Sequence, residues 1–148
     1  MSHTYCSNRL HIVFSTKERR KVIPPELQPR LWSYMAEIAK NRAIPVLAVG
    51  GHDDHAHILL VLPPTMLLAK CVQAVKGISS KWMTDSGRRG FAWQQGYAAF
   101  SVSASQTTAV VEYIRSQREH HKKHSFEAEF LSLLRKHGIQ YDPKYVLG

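Results

Sequence analysis

Across residues 5–16, YCSNRLHIVFST, apolar Leu10, Ile12 and Phe14 alternate with polar and small neighbours, the period of a β-strand. A basic turn follows, KERRK at 17–21. From Pro24-Pro25-Glu26 the period changes. Leu27, Leu31, Tyr34, Met35 and Ile38 form one helical stripe that ends near Asn41, and proline suits a first turn. Ile44–Val49 is a second short strand, bounded by Gly50-Gly51. After the turn GGHDD, HAHILLVL resumes as a third strand, so the two predict a hairpin. Pro63-Pro64 ends it, and Thr65 is expected to cap a helix over 66–83 that reaches about Asp85-Ser86-Gly87. Residues 91–102 read as a fourth strand despite Gly96. Ser103 with Gln106 fits a capping box that opens a helix running to Lys122-Lys123. Ser125 caps a last helix over 126–137, closed by Gly138, and the remaining residues read as a docked extension.

The order is therefore β-α-β-β-α-β followed by two helices. The first six elements match the split-βαβ, ferredoxin-like arrangement of an α+β fold. The 148 residues show no repeat, linker or low-complexity tract, which predicts one domain with a real core. No apolar run is long enough to span a bilayer, and the N-terminus lacks a signal-peptide pattern. The expectation is a soluble cytoplasmic protein with no membrane partner. Cys6 and Cys71 have no metal-ligand spacing and predict two reduced thiols. The net charge of +9 favours an anionic partner, most often nucleic acid. The basic residues are spread along the chain, however, so solvated faces would account for them too.

His55 and His57 stand at alternate positions in HDDHAHILLVL. On a strand they share the face of Leu59 and Val61, while Ala56, Ile58 and Leu60 face the other side. Two imidazoles at this spacing can grip one divalent ion; a hydrogen-bonded structural pair is an equal alternative. Tyr113 and Gln117 are four apart in VVEYIRSQREHH, neighbours on one helix face. The Gln117 carbonyl is a hard ligand suited to Mg²⁺ or Mn²⁺. Histidine-rich ligation by itself suggests Zn²⁺ or Mn²⁺ as readily as Mg²⁺. Asp53 and Asp54 read as turn residues, either of which could orient an imidazole from behind. A phenol with a pKa near 10 is a weak nucleophile, and a cation on the attacked phosphate would help it. The segment from Arg115 to Lys123, with His121, and the patch Lys76, Ser80 and Lys81 are candidate DNA contacts. Trp93, Tyr97 and Phe100 could stack on unpaired bases, though core packing suits at least two of them better.

In these stretches the chain resembles the single-tyrosine HUH transposases of small bacterial insertion sequences and their relatives tied to repetitive extragenic palindromes. The stretches are His55-Ala56-His57, YIRSQ with Tyr113 and Gln117, KGISSKW, WQQGYAAFSVS and the ending FEAEFLSLLRKHGIQYDPKY. The resemblance covers nearly the whole chain in matching order. It implies a ferredoxin-like core that binds single-stranded DNA folded into an imperfect hairpin. It implies that His55, His57 and Gln117 hold Mg²⁺ or Mn²⁺ on the scissile phosphate. Tyr113 would attack that phosphate to give a 5′-phosphotyrosine and a free 3′-OH. It also implies a homodimer in the insertion-sequence members, often with histidines and tyrosine from different protomers; the palindrome-associated relatives can act as monomers. The reading from the residues alone leaves open a binding module without chemistry.

Overall fold

Strand β1 (Arg9–Ser15) lies inside a four-stranded sheet in the computed structural model, which describes residues 3–146. The sheet is completed by β2 (Val46–Gly51), β3 (His55–Val61) and β4 (Ala98–Val102), in the order β2-β3-β1-β4 with every neighbouring pair antiparallel. Helix α1 (Gln28–Lys40) joins β1 to β2, and α2 (Leu68–Asp85) joins β3 to β4. Each connection passes over one strand, which is the split-βαβ topology the element order predicts. Three helices follow: α3 (Thr107–Arg115), α4 (Gln117–His120) and α5 (Phe126–Lys136).

The pleat divides the strands into two layers. Ile12, Phe14, Ala56, Ile58 and Leu60 pack under α1 and α2, against Leu31, Met35, Ile38, Val72 and Val75. The opposite side carries His11, Val13, His55, His57 and Leu59, and is covered by Ile114 of α3 and by Phe126, Phe130 and Leu134 of α5. None of the helices among the described residues is long and apolar enough to cross a membrane.

Several boundaries depart from the sequence pattern for local reasons. α1 starts at Gln28, not at the proline pair. Pro29 has no N–H to continue a ladder backwards, and Leu27 N and Gln28 N both donate to Pro24 O in a tight turn instead (2.9 and 3.2 Å). Thr65 does not cap α2; it lies inside a turn closed by Met66 N to Pro63 O at 3.1 Å. The fourth strand begins only at Ala98, because Gly96 takes a positive φ of 84° and Lys76 Nζ donates to the carbonyls of Gln94 and Gly96 (2.6 and 2.8 Å). Trp93 keeps a single bridge to Thr16. The Ser103–Gln106 capping box does not form: Ser103 Oγ meets Ser105 Oγ at 3.2 Å, and residues 104–106 make a 3₁₀ turn. The long helix expected to reach Lys123 breaks at Ser116 (φ −98°, ψ 18°), whose hydroxyl donates to Tyr113 O at 3.3 Å and competes with the helical ladder. α5 ends as expected. Ser125 Oγ accepts from Ala128 N at 3.2 Å, and Gly138 turns the chain with φ 67° while Ile139 N donates to Leu134 O at 2.9 Å. In the tail, Tyr141 and Val146 pack beside the α5 cluster; Leu147 and Gly148 lie outside the described residues.

Candidate active site

β3 delivers both histidines to the α3–α5 side of the sheet, and Tyr113, Gln117 and Glu129 come down onto them. Helix α3 can lie this close because Gly50 has no side chain; a Cβ there would collide with the Ile114 carbonyl. His55 and His57 are fully buried at 0 % exposure, Gln117 is at 1 % and Glu129 at 4 %. Buried polar groups at this density require partners, and here they partner one another.

Each histidine is held from behind and points one nitrogen inward. His55 Nδ1 meets Asp54 Oδ1 at 2.7 Å, and its Nε2 lies 2.8 Å from Gln117 Oε1. His57 Nδ1 meets His11 Nε2 at 2.8 Å, and its Nε2 lies 3.0 Å from Glu129 Oε1. His121 Nε2 completes the ring, 2.9 Å from Gln117 Oε1 and 3.3 Å from Glu129 Oε1. Gln117 Nε2 donates to Glu129 Oε2 at 2.9 Å, and the Tyr113 hydroxyl donates to the same oxygen. The imidazole, phenol and carboxamide groups singled out in the sequence therefore converge around one carboxylate, within one chain.

The electrostatics follow from burial and that carboxylate. Burial pulls His11 down to about 3, helped by the neighbouring His57. It pulls His57 down to about 4, against the raising effect of Glu129. Burial is the largest effect on His121 and lowers it, but the hydrogen bond and charge of Glu129, the His124 carbonyl and the charge of Asp54 together leave it above the ordinary value. Burial would raise Glu129; hydrogen bonds from His121 and His57, and the charges of His57 and His55, instead hold it well below the carboxylate range. Tyr113 is pushed up by burial, then by the charge of Glu129. With Glu129 unneutralised, the phenol keeps its proton.

The donor set fits a divalent cation. Ligand atoms of His55, His121 and Glu129 lie within 4.8 Å of one another, and His57 Nε2 and Gln117 Oε1 adjoin them. Inward Nε2 atoms with their Nδ1 atoms held behind, His55 by a carboxylate, are the arrangement that orients metal-binding imidazoles. The sequence pattern points to His55, His57 and Gln117 as donors, to Asp54 as a support behind an imidazole and to His121 as a DNA contact; it does not point to Glu129 or His11. Glu129 left a signal. It falls on the apolar stripe Phe126, Phe130, Leu133 and Leu134 of α5, where a charge needs a buried partner.

The nominated DNA contacts divide. His121 is in the centre itself, and Arg115 is exposed at the end of α3. Lys76, Ser80 and Lys81 are on α2, across the sheet from the histidines. Lys76 is tied to the 94–96 loop, Ser80 donates to Phe91 O at 3.4 Å, and Lys81 pairs with Asp85 at 2.9 Å. Trp93 and Phe100 are core residues, and Tyr97 is partly exposed.

The profile of the family described as "Transposase IS200 like" matches residues 4–117, well over half of the chain. The chain belongs to the IS200-like transposases. Among its relatives, the transposase for insertion sequence element IS200 of Salmonella typhimurium is 28% identical over 130 residues, covering 82% of this chain and 84% of that protein. The ISDra2 transposase TnpA of Deinococcus radiodurans is 26% identical over 116 residues, covering 74% and 83%. A solved putative transposase from Deinococcus radiodurans superposes with a TM-score of 0.62 at 24% identity, over 79% of this chain and 96% of that one. A REP-associated tyrosine transposase, solved bound to a REP hairpin, superposes at 0.59 with 14% identity, over 82% and 74%. Both share the fold of this transposase. The family match ends at Gln117, so α5 and Glu129 lie beyond it.

Proposed function

We propose that this transposase cuts and rejoins single-stranded DNA at hairpin-bearing ends, with Tyr113 as nucleophile and a divalent cation, Mg²⁺ or Mn²⁺, held by His55, His57 and Gln117. One observation carries the reading: two buried imidazoles, each anchored through Nδ1, direct Nε2 at Gln117 and Glu129, and the Tyr113 hydroxyl reaches that same carboxylate. Glu129 and His121 stand close enough to join the ligand set.

In the cutting step the Tyr113 oxygen bonds to phosphorus and the bond from phosphorus to the 3′ oxygen breaks. Glu129 Oε2, which accepts the hydroxyl's hydrogen bond, would orient the phenol oxygen; the phenolic proton leaves to solvent and the departing 3′ oxygen takes one from solvent, so no net proton is consumed. The protein then carries the 5′ phosphate as a tyrosyl ester. A 3′-OH attacking that ester restores a phosphodiester and releases Tyr113, so the covalent link conserves the bond energy. A bound divalent cation would supply the positive charge that offsets Glu129 and the phosphate during attack. One chain supplies His55, His57, Tyr113, Gln117 and Glu129, which favours a site completed within a subunit. The hairpin substrate is suggested by the family and by the REP hairpin bound to the structural relative.

The test is a denaturing gel of the protein with labelled hairpin DNA carrying single-stranded flanks, with Mn²⁺ or with chelator. The expected result is a covalent adduct that needs Mn²⁺ and vanishes in Tyr113→Phe while binding persists. Cleavage without an adduct would indicate activated water instead of Tyr113. Metal-independent binding without cleavage would indicate a nucleic-acid-binding module.

A further inference from the structure

Beside Tyr113 lies a cleft that the steps above do not use. α3 turns Ala109, Val110 and Tyr113 toward it, with Gln106 from the preceding turn, and α5 turns Glu129, Ser132, Leu133 and Lys136 toward it. Both sets keep the three-and-four spacing of a single helix face. Two such stripes normally interdigitate. Here they border a cavity of about 750 Å³ instead, with His11 and the end of β4 in its lining. Small side chains keep it open: Ala109 and Ser132 are both exposed, on opposite walls. The volume suits a ligand of roughly 300–1,000 Å³, the usual range for small-molecule sites.

The chemistry along the cleft is graded. One end holds the Tyr113–Glu129 hydrogen bond, so it opens on the reacting hydroxyl. Seven residues further along α5, roughly 10 Å at 1.5 Å per residue, Lys136 supplies a cation. Between them Val110 and Leu133 give aliphatic walls, and His120 sets its ring edge-on to Tyr113 with centroids 5.5 Å apart. His137, stacked on Phe100 at 4.5 Å, lines it as well. Ser101, Ser103 and Gln106 offer hydrogen-bonding groups. Flat apolar walls, imidazole rings, hydroxyls and a cation beside a phosphate-attacking hydroxyl describe the needs of one nucleotide.

We infer that the α3–α5 cleft is a subsite for a single unpaired nucleotide adjoining the phosphate that Tyr113 attacks, with the base between Val110 and Leu133 and the phosphate toward Lys136. Its place in the reaction rests on Tyr113 being the nucleophile; its binding does not. The probe is fluorescence anisotropy in chelator, comparing a labelled thymidine hexanucleotide with an abasic hexamer of equal charge. Burying the base against aliphatic walls removes apolar surface from water, so wild type should prefer the thymidine oligomer by roughly fivefold or more. Ala109→Leu and Ser132→Leu, singly and together, fill the cleft from opposite walls at exposed positions. They should erase the preference while leaving abasic binding and thermal melting unchanged. The inference is overturned by absence of a preference in wild type, by its survival in the double variant, or by equal loss for both oligomers. The adduct assay with hairpin DNA separates the two readings. An adduct with no base preference sinks the subsite alone; a base preference erased by filling, with no adduct, sinks the nucleophile alone.

Discussion

On β3, Ala56, Ile58 and Leu60 enter the layer filled by α1 and α2, whereas His55 and His57, one residue out of step, enter the layer under α3 and α5. On β1 the same split separates Ile12 and Phe14 from His11. Both layers bury the side chains that the sheet points into them. The first is largely apolar, with Gln28 and Ser79 as hydrogen-bonded exceptions, and stabilises by transfer of hydrocarbon from water. The second buries His11, His55, His57, Gln117 and Glu129 together, which is tolerable only because each is hydrogen-bonded to another. The pleat of one sheet thus sends hydrocarbon to one face and the buried polar cluster to the other. Damage to one layer should be read in denaturant, and damage to the other in metal and DNA.

The largest effect should come from splitting the chemical layer between chains. His57→Ala and Tyr113→Phe should each lose the covalent adduct, and under the proposed assembly within one subunit an equimolar mixture of the two should stay inactive. Recovery of adduct in the mixture would mean that the tyrosine helix serves a partner subunit. Next is the apolar layer. Phe14→Ala should cost about 3–5 kcal/mol of unfolding free energy, read by urea titration, while the folded fraction still binds Mn²⁺ normally. A loss of metal affinity in the folded fraction would show that the two layers are coupled.

A smaller effect is expected behind the histidine. Asp54→Asn removes the carboxylate that holds His55 Nδ1, and such partners typically carry about 10–100-fold in metal affinity. Calorimetry with Mn²⁺ should find that loss with melting scarcely changed; an unaltered affinity would remove Asp54 from the site. The smallest effect is with pH. His11 at about 3 and His57 at about 4 lie below the ordinary imidazole value of 6.5. The unfolded chain therefore binds more protons than the native one in that window. Their contribution is full above about pH 6.5 and is lost as pH falls toward the folded values. Asp54 and Glu129, both held low, act in the same direction at more acid pH. Melting in chelator should decline steadily from pH 7 to pH 4, and a flat profile would show that these histidines do not stay neutral in the fold.

Much of this was legible along the chain because it is periodic. Alternation around Ile12 and Phe14, the stripe from Leu27 to Ile38 and the Ser125–Gly138 bracket identify elements through local sterics and capping. Boundaries departed from the periodic pattern where one side chain's hydrogen bond, local or distant, decided them. Lys76 reaches across to the 94–96 loop and shortens β4, and Ser116 breaks the helix that carries Tyr113.

The sequence by itself determined the order of elements, the shared face of His55 and His57, and the pairing of Tyr113 with Gln117, since each follows from a repeat of two or of three to four residues. Only the tertiary structure decided that Glu129, twelve residues beyond Gln117, would stand at the centre of the imidazoles, and that α3 and α5 would leave a cleft beside Tyr113. Those outcomes depend on how separate helices seat on the sheet, and no local periodicity encodes the distance between side chains on different elements.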